Sequence, residues 1–217
     1  MKKLLTFALA AAMTLSLAAC GGETGTTSGN APAGNASAST SVSGADSASL
    51  PEITAGSCET PAILTSIGQS ADVDIVSTLC ERAGVTVETN ATITADDLTA
   101  DTKTLLLAVG GSSKGLGAAG IDEEQELDRT DALLSKAEEL GITVVAMHTG
   151  GSARRGTLSD AFIQPAFAAA DIAVVVSEGD GDGFMAGILA ENSTPSAFVE
   201  QAADCLATLQ TLFGVEA

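Results

Sequence analysis

The 217-residue chain contains no tryptophan, no tyrosine and only six phenylalanines. Aromatics make up 3% of a composition that is 45% hydrophobic, so any core must be built from Ala, Val, Ile and Leu. Positive charge is also scarce. Nine Lys and Arg face twenty-eight Asp and Glu, a formal net charge of −19. Such a surface repels nucleic acid and anionic lipid, which excludes both as partners. Histidine occurs once, at His148, and the four cysteines are dispersed, which argues against a His/Cys zinc site. Scarcity makes each remaining cation informative about where a negative ligand would sit.

Residues 1–20 read MKKLLTFALAAAMTLSLAAC. Lys2 and Lys3 precede an apolar run of about a dozen residues, the pattern of a signal peptide. The run is short for a membrane span, and no stop-transfer pattern follows. Leu17-Ala18-Ala19-Cys20 resembles the lipobox of bacterial lipoproteins, in which the Cys20 thiol is lipidated and becomes the new N-terminus. The expected location is the extracytoplasmic face of the cell membrane, with the lipid anchor as the only membrane contact. Cleavage there leaves seven basic residues against twenty-eight acids, a net charge of −21. Residues 21–56 are Gly, Ser, Thr, Ala and Asn with hardly a large apolar side chain. That composition reads as a flexible tether with a reach of roughly 30–36 Å. Residues 57–217 read as a single α/β domain.

Within it, strands alternate with helices. Ala62–Ser66, Val85–Thr89, Thr104–Val109, Ile142–Met147 and Ile172–Val176 are β-branched or apolar runs of strand length, and Ser196–Val199 is a sixth, edge candidate. Helical spacing predicts helices over Ala71–Ala83, Asp122–Leu140, Ser159–Ala170, Gly183–Glu191 and Val199–Phe213, with a short turn at Thr94–Leu98. Ser159 reads as an N-cap, and Pro165 predicts a kink or break. The stretch Gly110–Gly120 reads as a glycine-rich loop. This alternation implies a three-layer α/β/α sandwich around a parallel sheet, flavodoxin-like in order 2-1-3-4-5. Ligands of such folds bind beyond the carboxyl ends of the strands, where strand order reverses.

Four loops fall on that edge. The first carries Gly68, Gln69 and Ser70. The second carries Gly110, Gly111, Ser112, Ser113 and Lys114. The third runs from His148 through Gly150, Gly151 and Ser152 to Arg154 and Arg155, and the fourth holds Glu178, Asp180 and Asp182. The second and third repeat a pattern of apolar strand, Gly-Gly-Ser, cation and Gly at a 40-residue offset. Three of the seven mature cations lie in these two loops. Gly-Gly-Ser backbone N–H groups form anion-binding nests, and Arg contacts oxyanions bidentately. The cluster reads as a site for a small carboxylate or phosphate.

Other motifs carry less. Gly115-Leu-Gly117-Ala-Ala-Gly120 satisfies G-x-G-x-x-G literally. It begins five residues past a later strand, however, and precedes an acidic helix start that would repel a pyrophosphate. No cofactor is expected. Gly110–Lys114 lacks the spacing of a phosphate-binding P-loop. Glu178, Asp180 and Asp182 resemble half of an EF-hand, but Leu189 stands where the bidentate acid belongs, so they are weak metal candidates. A Ser/His/Asp set from Ser70 or Ser112, His148 and Asp180 lacks a nucleophile elbow. Cys58 and Cys80 are placed for a bridge, while Cys80 and Cys205 also fit core positions.

The segments GQSADV, GGSSKGLGAAGI and MHTGGSARRG, followed by LSD, resemble those of a bacterial family of exported proteins known as a domain of unknown function. The resemblance covers about residues 61–199. It implies a shared site at Gln69, Ser70, Lys114, His148, Arg154, Arg155, Ser159 and Asp160, with export and an association with transport, but no activity. Three readings stay open: a lipid-anchored receptor for a small anion, a hydrolase or transferase using His148 as acid/base, and an envelope protein whose loops meet another protein.

Overall fold

Residues 50–216 are described in a computed structural model. The signal-peptide, Cys20 and most of the tether readings lie outside the described residues. Six strands form one parallel sheet in the order β2-β1-β3-β4-β5-β6. The elements run β1 (Ala62–Ile67), α1 (Asp72–Ala83), β2 (Val87–Thr89), β3 (Thr104–Val109), α2 (Ser113–Ala119) and α3 (Glu123–Leu140). They continue with β4 (Thr143–His148), α4 (Thr157–Ala168), β5 (Ile172–Val176), α5 (Phe184–Asn192), β6 (Ser196–Val199) and α6 (Cys205–Phe213). The three-layer sandwich and the flavodoxin-like order are those the alternation predicts, and Ser196–Val199 is the sixth, edge strand.

Every residue of β1, β3 and β5 is buried, as strands covered on both faces must be. Side chains alternate between two aliphatic cores. Leu105, Leu107 and Val109 face the core closed by α3, α4 and α5, with Leu133, Phe162, Ile163 and Met185. Leu106 and Ala108 face the core closed by α1 and α6, with Val76, Leu79, Leu209 and Leu212. No helix among the described residues is long and apolar enough to cross a membrane.

Several boundaries differ from expectation for local reasons. Gly84 and Gly141 end α1 and α3 in the left-handed conformation. The next residue then donates back into the helix, Val85 to the Cys80 carbonyl and Ile142 to that of Ala137. Those N–H groups are thereby lost to the sheet, so β2 and β4 start later than β-propensity suggests. Asp122 forms a capping box with Gln125, which sets the start of α3. Helix α4 begins at Thr157, not Ser159, and runs unbroken through Pro165 to Ala168. The proline lies in the last turn, where it removes a single backbone bond. The expected long terminal helix is shorter, because β6 and a 3₁₀ turn at Ala202–Asp204 take its first half.

The glycine-rich segment is the largest departure. Ser113–Ala119 is a helix, capped by the Ser112 hydroxyl accepting from Gly115 N at 3.0 Å. Tertiary packing overrides the poor helix propensity of its glycines. A Cβ at Gly115 would lie 1.8 Å from the Gln69 carbonyl oxygen, so only glycine lets α2 pack on the first loop.

Two further readings are revised. Leu50 and Ile53, assigned by composition to the tether, pack against the domain, and the Pro51 carbonyl accepts from Ser196 N at 2.9 Å. Cys58 and Cys80 form no bridge; both, with Cys205, are buried free thiols. Burial pushes these thiols up to about 11, 12 and 11 in chain order.

Beneath the first loop lies a buried ion pair. The Glu126 carboxylate accepts from Gly68 N at 2.8 Å, Gln69 Nε2 at 3.1 Å and Arg129 Nη2 at 2.7 Å. Arg129 also donates to the carbonyls of Ile93 and Ser66. Arg129→Met leaves a carboxylate buried without its counter-ion, an expected loss of about 3–5 kcal/mol. The double variant Glu126→Gln/Arg129→Met recovers part of that loss. Urea unfolding at neutral pH measures both.

Candidate functional site

All strand-to-helix loops of a parallel sheet leave one edge, and here the four loops touch one another. Gln69 and Gly111 form an isolated antiparallel bridge that joins the first loop to the second. Gly111 N donates to Ser159 Oγ at 3.0 Å, which joins the second to the start of α4. Arg154 Nε lies 3.8 Å from Asp72 Oδ1, which joins the third to α1. Ser152 Oγ donates to Glu178 Oε1 at 2.8 Å, which joins the third to the fourth.

The nests, however, are spent on the protein itself. Gly110 N donates to the Ile67 carbonyl and Ser112 N to that of Gly68, while Gly111 N is taken by Ser159. The expectation that these three N–H groups cradle an external anion is therefore corrected. In the third loop the Glu178 carboxylate already lies against Gly151 and Ser152. A Cβ on Gly151 would stand 2.5 Å from Glu178 Oε2. Ser70 Oγ accepts from Asp72 N, and Gln69, at a left-handed φ of 55°, spends its amide on Glu126 and the Ala91 carbonyl.

The cations divide. Arg155 is enclosed: Nε donates to Asp160 Oδ1 at 2.7 Å, Nη1 to the Gly179 carbonyl at 2.6 Å and to Asp182 Oδ1 at 3.0 Å, and the guanidinium stacks on Phe184. Burial works against its charge, but the Asp160 and Asp182 contacts outweigh it and raise its pKa. The Arg155 hydrogen bond holds the Asp182 carboxyl below its usual range. Arg155 is thus a structural cation, not an open ligand arm. Arg154 is different. Its side chain is 45% exposed and makes no hydrogen bond to Asp72. Lys114, in the first turn of α2, is exposed and forms no ion pair among the described residues.

Arg154 and Arg155 line a groove of about 270 Å³ with Gly111 and the first turn of α4, Gly156 to Ser159. First-turn N–H groups have no intrahelical acceptor and carry the positive end of the helix dipole. A larger concavity of about 1050 Å³ lies at the opposite, amino edge of the sheet, along Ile142–Val144 and Asp171. It contains none of the loop cations.

The acidic fourth loop is internally committed. Asp180 accepts from Met185 N at 2.6 Å and Ala186 N at 3.0 Å, so it caps α5. Burial raises its pKa, and the two amides offset part of that rise. With Glu178 on Ser152 and Asp182 on Arg155, the half-EF-hand reading is corrected. Among the described residues no group of three or more His, Cys, Asp or Glu is arranged to hold a metal.

Asp72 is the residue the sequence reading passed over. It stands in the quoted GQSADV segment, and that is the signal that marks it. The residue is 1% exposed, and neither carboxylate oxygen has a hydrogen-bond partner. His148 is wholly buried at the end of β4, with Nδ1 3.0 Å from the Val109 carbonyl. That carbonyl must accept, so Nδ1 carries the proton and Nε2 keeps a lone pair without a partner. Nε2 packs against Gly179, and His148 does not line the groove. Ser70 and Ser112 are engaged elsewhere, so the Ser/His/Asp set is not assembled.

Burial also pushes the His148 imidazole below its ordinary 6.5, against the opposing pull of the Val109 carbonyl and Asp72. As pH falls below about 6.5, the unfolded chain takes up a proton that the folded chain refuses, so stability falls with acidification. Urea unfolding of wild type and His148→Asn is expected to show a wild-type advantage at pH 7.5 that shrinks towards pH 5. The slope is at most about 1.4 kcal/mol per pH unit.

Comparison with known proteins adds a family and little else. No curated protein matches the chain in sequence. One similar solved structure is the O-acetylhomoserine sulfhydrylase of Wolinella succinogenes. It is 14% identical, covers 75% of this chain and 52% of that enzyme's, and has a TM-score of 0.28. The likeness thus spans about half of the enzyme, at a score that carries nothing over to this chain. The loops described above all fall within residues 59–213, the span matched by the family described as Domain of unknown function (DUF6305), and the chain belongs to that family.

Proposed function

We propose that the chain is a lipid-anchored extracytoplasmic protein that binds a small anionic ligand, a carboxylate or phosphate, at the carboxyl edge of its sheet, for uptake or sensing with a membrane transport component. The observation that carries the reading is Arg154. It is half-exposed, free of hydrogen bonds to its acidic neighbour, and lines a groove with the amino end of α4. The other arginine of the pair is locked by two aspartates and serves as the wall against which the groove is built. Lys114, exposed on the neighbouring helix, adds positive potential and forms no ion pair among the described residues. The Leu17-Ala18-Ala19-Cys20 segment, which resembles a lipobox, supports the anchored part of the reading.

Thermal shift and calorimetry over a panel of carboxylates and phosphates test the site. A bound anion at about a hundred times its Kd stabilises by about 2.7 kcal/mol, several degrees in Tm. Arg154→Ala is expected to weaken that anion by about 10- to 100-fold, the loss of one charge-assisted contact. A panel without any shift overturns the reading. For the anchor, wild type grown with labelled palmitate is expected to incorporate label and enter the detergent phase on phase separation. Cys20→Ser is expected to carry no label and stay in the aqueous phase.

A further inference from the structure

A simple anion leaves one charge unaccounted for. Arg154 Nε sits 3.8 Å from Asp72 Oδ1, the one opposite charge that faces this buried carboxylate closely enough for an ion pair among the described residues. An anion that draws Arg154 away leaves Asp72 buried with no counter-ion and no hydrogen bond. That cost works directly against the new contact. The site balances only if whatever takes Arg154 also supplies a positive donor to Asp72.

Asp72 carries the free acceptors for such a donor. Gly110 has no side chain, and a Cβ there would lie 3.1 Å from Asp72 Oδ2 and 3.2 Å from Ser70 Oγ. The end of β3 therefore runs close against both oxygens, and any side chain at Gly110 would press on them. Gly110 adjoins Gly111, which lines the groove under Arg154. Acceptors dominate this floor. Both Asp72 oxygens lack partners.

We propose that the ligand of this edge is a zwitterion of amino-acid type, its ammonium group on Asp72 and its carboxylate on Arg154. The assignment rests on the anion-binding reading and narrows it. On binding, one long ion pair within the protein is exchanged for two across the ligand, and no charge is left buried alone. Arg154 turns from Asp72 towards the groove, where the first-turn N–H groups of α4 stand ready for the same carboxylate.

Calorimetry and thermal shift on the mature full chain decide the matter. The probes are the twenty standard L-amino acids, propionate and succinate as carboxylates without an ammonium group, ethylammonium as the converse, and inorganic phosphate. At least one amino acid is expected to bind at least about tenfold tighter than any of the single-charge probes. Asp72→Asn is expected to abolish that preference and to leave carboxylates bound as well as before or better. Gly110→Ala presses a methyl group against Asp72 and Ser70 without altering charge and is expected to weaken the amino acid alone. It carries the test should the Asp72 variant fail to fold. If carboxylates or phosphate bind as tightly as every amino acid, and neither variant changes the order, the zwitterion assignment is overturned while the anion site stands. If no probe shifts the melting temperature, both are overturned.

Discussion

The Glu126 carboxylate is the contact on which the working edge depends. It lies wholly buried in the first turn of α3, yet its partners belong to the first loop: the backbone of Gly68, the amide of Gln69 and, through Arg129, the carbonyl of Ser66. That grip holds Gln69 in a left-handed conformation that a non-glycine residue adopts at a cost. With Gln69 so placed, its carbonyl meets Gly115 of α2, and its backbone bridges Gly111. The start of α1, and with it Asp72, follows directly from the loop. A single ion pair therefore sets the position of the first loop, the second loop and the short helix that follows it.

A chain with so few cations has committed two of its arginines to its own acids at this edge. Arg129 serves Glu126, and Arg155 serves Asp160 and Asp182. Glu178 occupies the Gly-Gly-Ser turn that would otherwise suit an external oxyanion. These internal pairs stiffen the edge and narrow what it can bind. Arg154 and Asp72 differ from the others because they face each other without closing a hydrogen bond, one half in water and the other sealed beneath it. The electrostatic case for a ligand rests on that difference rather than on the number of cations near the edge.

Most of the architecture was legible because it depends on local pattern. β-Branched runs of five or six residues, separated by helical repeats that end in glycine, leave little alternative to a parallel sheet covered on both faces. Its strand order and sixth strand agree with that reading. Where expectation failed, the deciding partner lay far along the chain. Ser112–Ala119 reads as loop because glycines disfavour helices, yet packing against Gln69 makes it one. Ser159 reads as a cap, yet its hydroxyl is taken by Gly111, forty-eight residues away. The Gly-Gly-Ser segments read as open nests, and their donors instead close on neighbouring loops.

The sequence by itself determined the layer order, the edge on which four polar loops meet and the gathering there of three of the chain's few cations. Each follows from short-range periodicity or from composition, which need no knowledge of distant contacts. Tertiary structure alone decided which charges are spent and which remain available. Whether Arg155 or Arg154 is locked, whether a glycine turn is empty or filled, and whether Asp72 is exposed or sealed depend on side chains that meet from separate elements. A one-dimensional pattern places residues on an edge, but burial and pairing are properties of the assembled edge, and they set the energy of every charge on it.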